Sequence, residues 1–341
     1  MSRYSSATLL VSKHKFMESK VNYIGVDISK LSFDVAIEKD SRYVHYKLAN
    51  DPKGFTTLKN LIVGSAKVVM EASGPYYLRL AVFLFEQGIA VSVVNPLIIR
   101  RFCQMRLMRA KTDKKDAAMI AQYGKTEHPA DWVPEADYVL ELRQLKTAAD
   151  LLDKSRTSMV RQQEAFNQLP NRCKEAMSAI QKTIRGIEKQ IAQLEEKMQQ
   201  VIMRYHGSMY DRLQTIPGLG QKTALMLIVL TGGFTKFSNA SQLCAYVGTS
   251  PRIFESGTSI KGRSRIAKMG MSKVRAMLYL CSWSAKRYNA SCKQLYDRLV
   301  EKGKAKKLAL LAVVNKLLKQ AFAVATHEVD YEKNYSKNTC F

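Results

Sequence analysis

Between Val21 and Lys125 the hydrophobic pattern switches period several times. Val21–Ile28, Phe33–Glu38 and Tyr43–Leu48 have the composition of short strands and are separated by brief turn signals. A helix is predicted over Gly54–Val63, a strand over Lys67–Glu71 and a second helix over Tyr77–Gln87. Ile89–Val94 reads as a further strand, ended by Asn95-Pro96. Helices follow over Leu97–Met108 and Asp113–Tyr123. Hairpin-linked strands followed by strand–helix crossovers describe a mixed sheet with helices packed on it, an α/β domain spanning residues 21–130. Residues 1–20 read as a polar, basic lead-in.

Over residues 137–207 the pattern is helical throughout. Met177, Ile180, Ile184, Ile187, Ile191, Leu194, Met198 and Val201 recur at alternating steps of three and four, a heptad seam held for more than three heptads. Leu142, Leu145, Ala149, Leu152, Met159 and Phe166 follow the same rule less cleanly, with Arg156 and Gln163 intruding. Pro170 separates the two stretches. They are read as a coiled-coil spacer, either an antiparallel hairpin or a pairing with a second copy of the chain; two ordinary amphipathic helices are the plainer alternative.

A mostly helical domain is expected over residues 211–328, with a polar tail over 329–341. Ile216-Pro-Gly-Leu-Gly220 before Gln221–Leu230 resembles the second half of a helix-hairpin-helix. There a glycine turn at Gly218 and Gly220 opens a helix whose backbone N–H groups can hold a phosphate. Gly248–Gly270 reads as a Gly/Ser/basic loop carrying Lys261, Arg263, Arg265 and Lys268, which can neutralise phosphates. Arg100, Arg101, Arg106, Arg109 and Lys111 form a second basic stretch leading into Asp113.

Charge points the same way. The 54 Lys and Arg against 29 Asp and Glu leave a formal +25, which attracts a polyanion in a salt-dependent manner. Nucleic acid is the expected partner. A membrane is not, since apolar runs such as Leu308–Val314 are short and the N-terminus lacks the shape of a signal peptide. The six cysteines include no CxxC pair, which argues against a zinc knuckle or a disulfide scaffold and for a reduced, cytosolic protein. Any metal should therefore sit on carboxylates.

Four acids occupy suitable places. Asp27 ends the first strand in Ile24-Gly-Val-Asp27, among apolar neighbours, where it needs a partner or a task. Glu71 ends a later strand in Val68-Val-Met-Glu71. Asp113 and Asp116, three residues apart, share one helix face, with Thr112 able to cap that helix. Two hard cations need oxygen ligands, and a pair about 4 Å apart can stabilise both the attacking and leaving oxygens of a phosphoryl transfer. Separately, each acid has an ordinary explanation: a helix-dipole acid, a surface ion pair, a satisfied strand end.

In that order and on that pattern, the first segment resembles a RuvC-type, ribonuclease-H-like domain with an Asp-Glu-Asp-Asp set. From Val21 to His327 the chain resembles the DEDD transposases of the Piv/MooV group. These are insertion-sequence recombinases that combine a RuvC-like domain, a coiled-coil spacer and a C-terminal transposase domain. The resemblance rests on Gly25-Val-Asp27, Met70-Glu-Ala-Ser-Gly74, Val94-Asn-Pro96 and Lys111-Thr-Asp-Lys-Lys-Asp116-Ala, and on Ile216–Gly220, Phe237–Pro251 and Phe254-Glu-Ser-Gly257. It implies catalysis at Asp27, Glu71, Asp113 and Asp116 with two Mg²⁺ ions, or Mn²⁺ in their place. It also implies a serine nucleophile, which falls by position on Ser256; on the residues alone, Thr258 and Ser259 are close rivals. The family further implies DNA ends and targets as substrates, a guide (bridge) non-coding RNA, assembly into a dimer or tetramer through the coiled coil, and a place at the bacterial nucleoid in the cytoplasm. The alternatives are a hydrolytic Holliday-junction endonuclease using the same carboxylates, and a non-catalytic nucleic-acid scaffold.

Overall fold

Strands β1 (Asn22–Ile28), β2 (Ser32–Lys39) and β3 (Arg42–Ala49) form an antiparallel meander. On the other side of β1 lie β4 (Ala66–Glu71) and then β5 (Ala90–Val94), each parallel to its neighbour, so the sheet order is β3-β2-β1-β4-β5. This mixed sheet is compatible with a ribonuclease-H-like domain. In the computed structural model the described residues are 21–107, 113–252, 255–256, 260–261, 265–266 and 270–332; for Asp113 and for the short strands between 251 and 265 only the backbone is described. They divide into two units, one ending at Glu135 and one beginning at Ala136.

Strand alternation sorts the first unit's side chains onto two faces. Ile24, Val26 and Ile28 of β1, Phe33, Val35 and Ile37 of β2, and Val68 and Met70 of β4 share one face. Helices α1 (Pro52–Leu61) and α2 (Leu78–Glu86) cover it with Phe55, Leu58, Leu80, Ala81 and Leu84. Asp51 caps α1, its carboxylate accepting from the Gly54 N–H at 2.8 Å. The opposite face carries Tyr23, Gly25 and Val69, and packs against α3 (Pro96–Met105) and α4 (Asp113–Glu127) through Ile99 and Ile120.

In the second unit, α5 (Asp137–Asn167) and α6 (Lys174–Gln214) pack as an antiparallel hairpin. Tyr138 stacks on Tyr205 at 4.3 Å, and Arg156 reaches Glu188 at 3.7 Å. Every seam residue from Met177 to Val201 is buried or half-buried, and α5 packs along α6 within the same chain. Arg156, an intruder in the α5 pattern, is held by Asp153 at 2.8 Å.

The hairpin shares one large core with α7 (Gln221–Thr231), α8 (Ala240–Val247), α9 (Ser272–Tyr288), α10 (Ala290–Glu301) and α11 (Lys306–His327). One correction concerns α11. By length and composition it is apolar enough to cross a membrane, because the stretch continues past Val314 to Ala325. Half of that window is buried inside the second unit, as in the central helix of a core.

The glycine turn between α6 and α7 has a packing role. Gly218 sits at φ +105°, and a Cβ there would stand 2.7 Å from the Ala285 Cβ and 2.8 Å from the Ala285 nitrogen of α9. Gly218→Ala is expected to destabilise the second unit by about 2 kcal/mol, combining a left-handed backbone penalty with overpacking. A melting temperature equal to that of the parent would show that the turn does not sit against α9.

Candidate active site on the carboxyl edge of the sheet

Asp27 is the next-to-last residue of β1, half-buried, on the face opposite the main core. Val26 pairs in parallel with Met70, so one further step of the register sets Asp27 beside Glu71 at the end of β4. Neighbouring strands lie about 4.8 Å apart, and adjacent residues in register point to the same face. Ser73 orients Glu71, its hydroxyl donating to Oε1 at 2.8 Å.

Helix α4 supplies the remaining pair. A Cβ on Gly25 would lie 2.0 Å from the Ala117 carbonyl oxygen and 2.4 Å from the Ala121 nitrogen. Near the other end, Gly124 packs on Tyr23, and Tyr23 Oη lies 2.7 Å from His128 Nδ1. The helix therefore runs antiparallel to β1 across its surface. Going back four residues from Ala117 to Asp113 rises about 6 Å, and two residues of strand from Gly25 to Asp27 about 6.6 Å. The start of α4, with Asp113 and the half-buried Asp116, thus stands level with Asp27. Close packing of glycine against helix backbone is what fixes this level.

Asp34 of β2 escaped the sequence reading. It lies directly across from Asp27 in the antiparallel register, with 8% of its surface exposed, and Lys47 opposite it on β3 approaches at 3.9 Å. Directly opposed residues have Cβ atoms about 5 Å apart, and like charges there repel. A buried acid in the middle of a strand was the available signal, concealed because alternation made it look solvent-facing. Among the described residues no three His, Cys, Asp or Glu groups form a ready-made ion site, and the side chain of Asp113 lies outside them.

The other candidates are dispersed. Arg100, Arg101 and Arg106 are exposed on and just after α3, and Arg101 donates to Gln104 at 3.0 Å. Arg109, Lys111 and the expected cap Thr112 fall outside the described residues. The expected Gly/Ser/basic loop contains two nested ladders. β6 (Pro251–Arg252) pairs with β9 (Arg265–Ile266), and inside them β7 (Glu255–Ser256) pairs with β8 (Ile260–Lys261). Ser256 lies opposite Ile260 in the inner pair. Lys261 and Arg265 lie on these ladders by backbone, and Arg263 and Lys268 are outside the described residues. Gly220 precedes α7 without a side-chain cap.

A mixed sheet compatible with a ribonuclease-H-like domain, with Asp27 and Glu71 at the ends of adjacent strands of a chain with a formal charge of +25, fits a protein that acts on nucleic acid. Residues 24–169 match the family model DEDD_Tnp_IS110, described as a transposase, and residues 210–297 match the transposase IS116/IS110/IS902 family. The chain is 31% identical over 324 residues to the pilin gene-inverting protein of Moraxella lacunata, covering 91% of this chain and 98% of that one. It is 23% identical over 363 residues to the transposase for insertion sequence element IS1111A of Coxiella burnetii (strain RSA 493 / Nine Mile phase I), covering 94% of each. The chain belongs to the IS110 family of DEDD transposases, enzymes that act on DNA in transposition and recombination.

Proposed function

We propose that this protein cuts and rejoins DNA at the ends of an insertion element, using Ser256 as nucleophile and the carboxylates Asp27, Glu71, Asp113 and Asp116 as a divalent-cation platform. The observation that carries the reading is the common level of Asp27, Glu71 and the start of α4 on one edge of the sheet. The all-oxygen donor set suits a hard cation such as Mg²⁺. Bound divalent ions supply Lewis-acid activation of the scissile phosphate and charge stabilisation of the departing oxygen.

In this reaction the Ser256 hydroxyl forms an ester bond to the scissile phosphorus. The bond from phosphorus to the departing strand end breaks, and that end leaves as a hydroxyl carrying the proton lost by serine. Attack by a strand-end hydroxyl on the phosphoserine reverses the exchange and reseals DNA. No bond energy is lost to water, which suits recombination, and a relative named for inverting a gene is what rejoining chemistry predicts. The reading requires Ser256 to meet the carboxylates on DNA, from the same chain or from a second copy in a dimer or tetramer. A guide RNA would supply sequence choice by base pairing, while the basic surface reads phosphates and shape. Such an enzyme works at the nucleoid.

The test is a gel assay for a covalent protein–DNA adduct, using element-end DNA and Mg²⁺, with and without RNA transcribed from the element's flanks. An adduct is expected with the parent protein and none with Ser256→Ala. Clean cutting by Ser256→Ala at the parent rate would overturn the serine mechanism and favour water as nucleophile.

A further inference from the structure

Helix α9 buries Val274, Leu278, Ser282 and Ala285, at steps of four, four and three, as one face against the second unit's core. Its other side follows a second stripe, Ala276, Leu280, Trp283 and Arg287, at steps of four, three and four. Leu280 is 70% exposed and Trp283 48%, and Tyr288 at the helix end is 70% exposed. Since α9 already has a complete buried face, this second apolar stripe is free to meet a ligand.

The charge around the stripe selects that ligand. Helix α9 contains no Asp or Glu, and from Thr215 to Tyr296 the chain has twelve Lys and Arg with Glu255 as the sole acid. Arg287 is exposed on the stripe, and Lys286 lies over the Tyr296 ring at 4.1 Å. Two such cationic faces repel one another, which disfavours a second copy of the chain. An aromatic ring among cations is instead the platform on which unpaired bases stack while their phosphates are neutralised.

We propose that the Leu280–Trp283–Arg287 face of α9 binds an unpaired DNA strand, with a base stacked on Trp283, its neighbour against Leu280 and phosphates at Arg287 and Lys286. The stripe from Leu280 to Arg287 rises about 10 Å, the length of about three stacked nucleotides at roughly 3.4 Å each. DNA is the occupant because strand exchange by a transposase releases unpaired ends. The proposal rests on that DNA-processing class and requires neither Ser256 nor a metal.

The chain's two tryptophans make the test direct. Trp132 sits in the first unit against Phe85, with ring centroids 6.4 Å apart, so Trp132→Phe leaves Trp283 as the single reporter. Titrating that variant with a dodecamer of deoxythymidine should quench its fluorescence to saturation, at a midpoint that weakens with salt. In the otherwise unaltered chain, Trp283→Ala should weaken binding of the oligomer, followed by anisotropy of a labelled strand, by about tenfold. Trp283→Phe should retain most of the affinity, which separates stacking from a folding defect. Absence of quenching, a duplex or RNA dodecamer binding tenfold tighter than single-stranded DNA, or a fluorescence change driven by protein concentration alone would each overturn the assignment. Quenching that persists in Ser256→Ala, which forms no adduct, keeps this site distinct from the serine reaction.

Discussion

Asp27→Asn folds normally and loses DNA cleavage by a factor of at least about a thousand, the scale expected when a ligand to catalytic cations is neutralised. The replacement keeps the size and shape of the side chain. Mg²⁺ should raise the melting temperature of the parent protein, since a ligand that binds only the folded state stabilises it, and this increment should shrink or vanish in the variant. The two readouts are independent of each other. Cleavage at the parent rate, with the Mg²⁺ increment intact, would remove Asp27 from the site.

Gly25→Ala is the second large effect, and it acts on folding. The added methyl would lie 2.0 Å from the Ala117 carbonyl oxygen and 2.4 Å from the Ala121 nitrogen, both backbone atoms of α4 that no side-chain rotation can move aside. Either the helix shifts off the sheet or the strand buckles. Overpacking of this kind costs about 3 kcal/mol, a large share of the roughly 5–15 kcal/mol by which domains are stable. The expected result is early proteolysis within the first unit and a lowered melting temperature. A milder variant that still folds should cut slowly, because α4 carries Asp113 and Asp116 at its start. Parent-like stability and parent-like cutting together would show that the close approach of α4 to β1 is not needed.

Much of the first unit was legible beforehand because its strands are short, apolar and bounded by turn residues. The observed β1, β2, β3, β4 and β5 differ from the expected strands by one residue or so at their ends. The four acids could be named from their positions at strand ends and on a helix. Their common level could not, because it depends on Gly25 fitting under α4, a contact between residues 92 positions apart. Asp34 was hidden for a related reason. Alternation marks polar positions as solvent-facing, yet both faces of this sheet are packed. The nested ladders around Ser256 are two residues long, too short to carry any period. Trp283 does not stand out in the sequence, because only the phase of α9, set by Val274, Leu278, Ser282 and Ala285, turns it outward.

The hairpin of α5 and α6 has a separate consequence. Near its base, Leu142, Ala149, Met198, Val201 and Ile202 belong to the large core, whereas Ile184 and Ile187 are buried outside it. Toward the tip the two arms therefore chiefly support each other, and the hairpin's length is decoupled from the packing at its base. Each heptad added to or removed from both arms changes the reach by about 10 Å while keeping the seam in phase. Within this architecture, reach is an adjustable dimension: related chains can lengthen or shorten the arm by whole heptads without redesigning the core that anchors it.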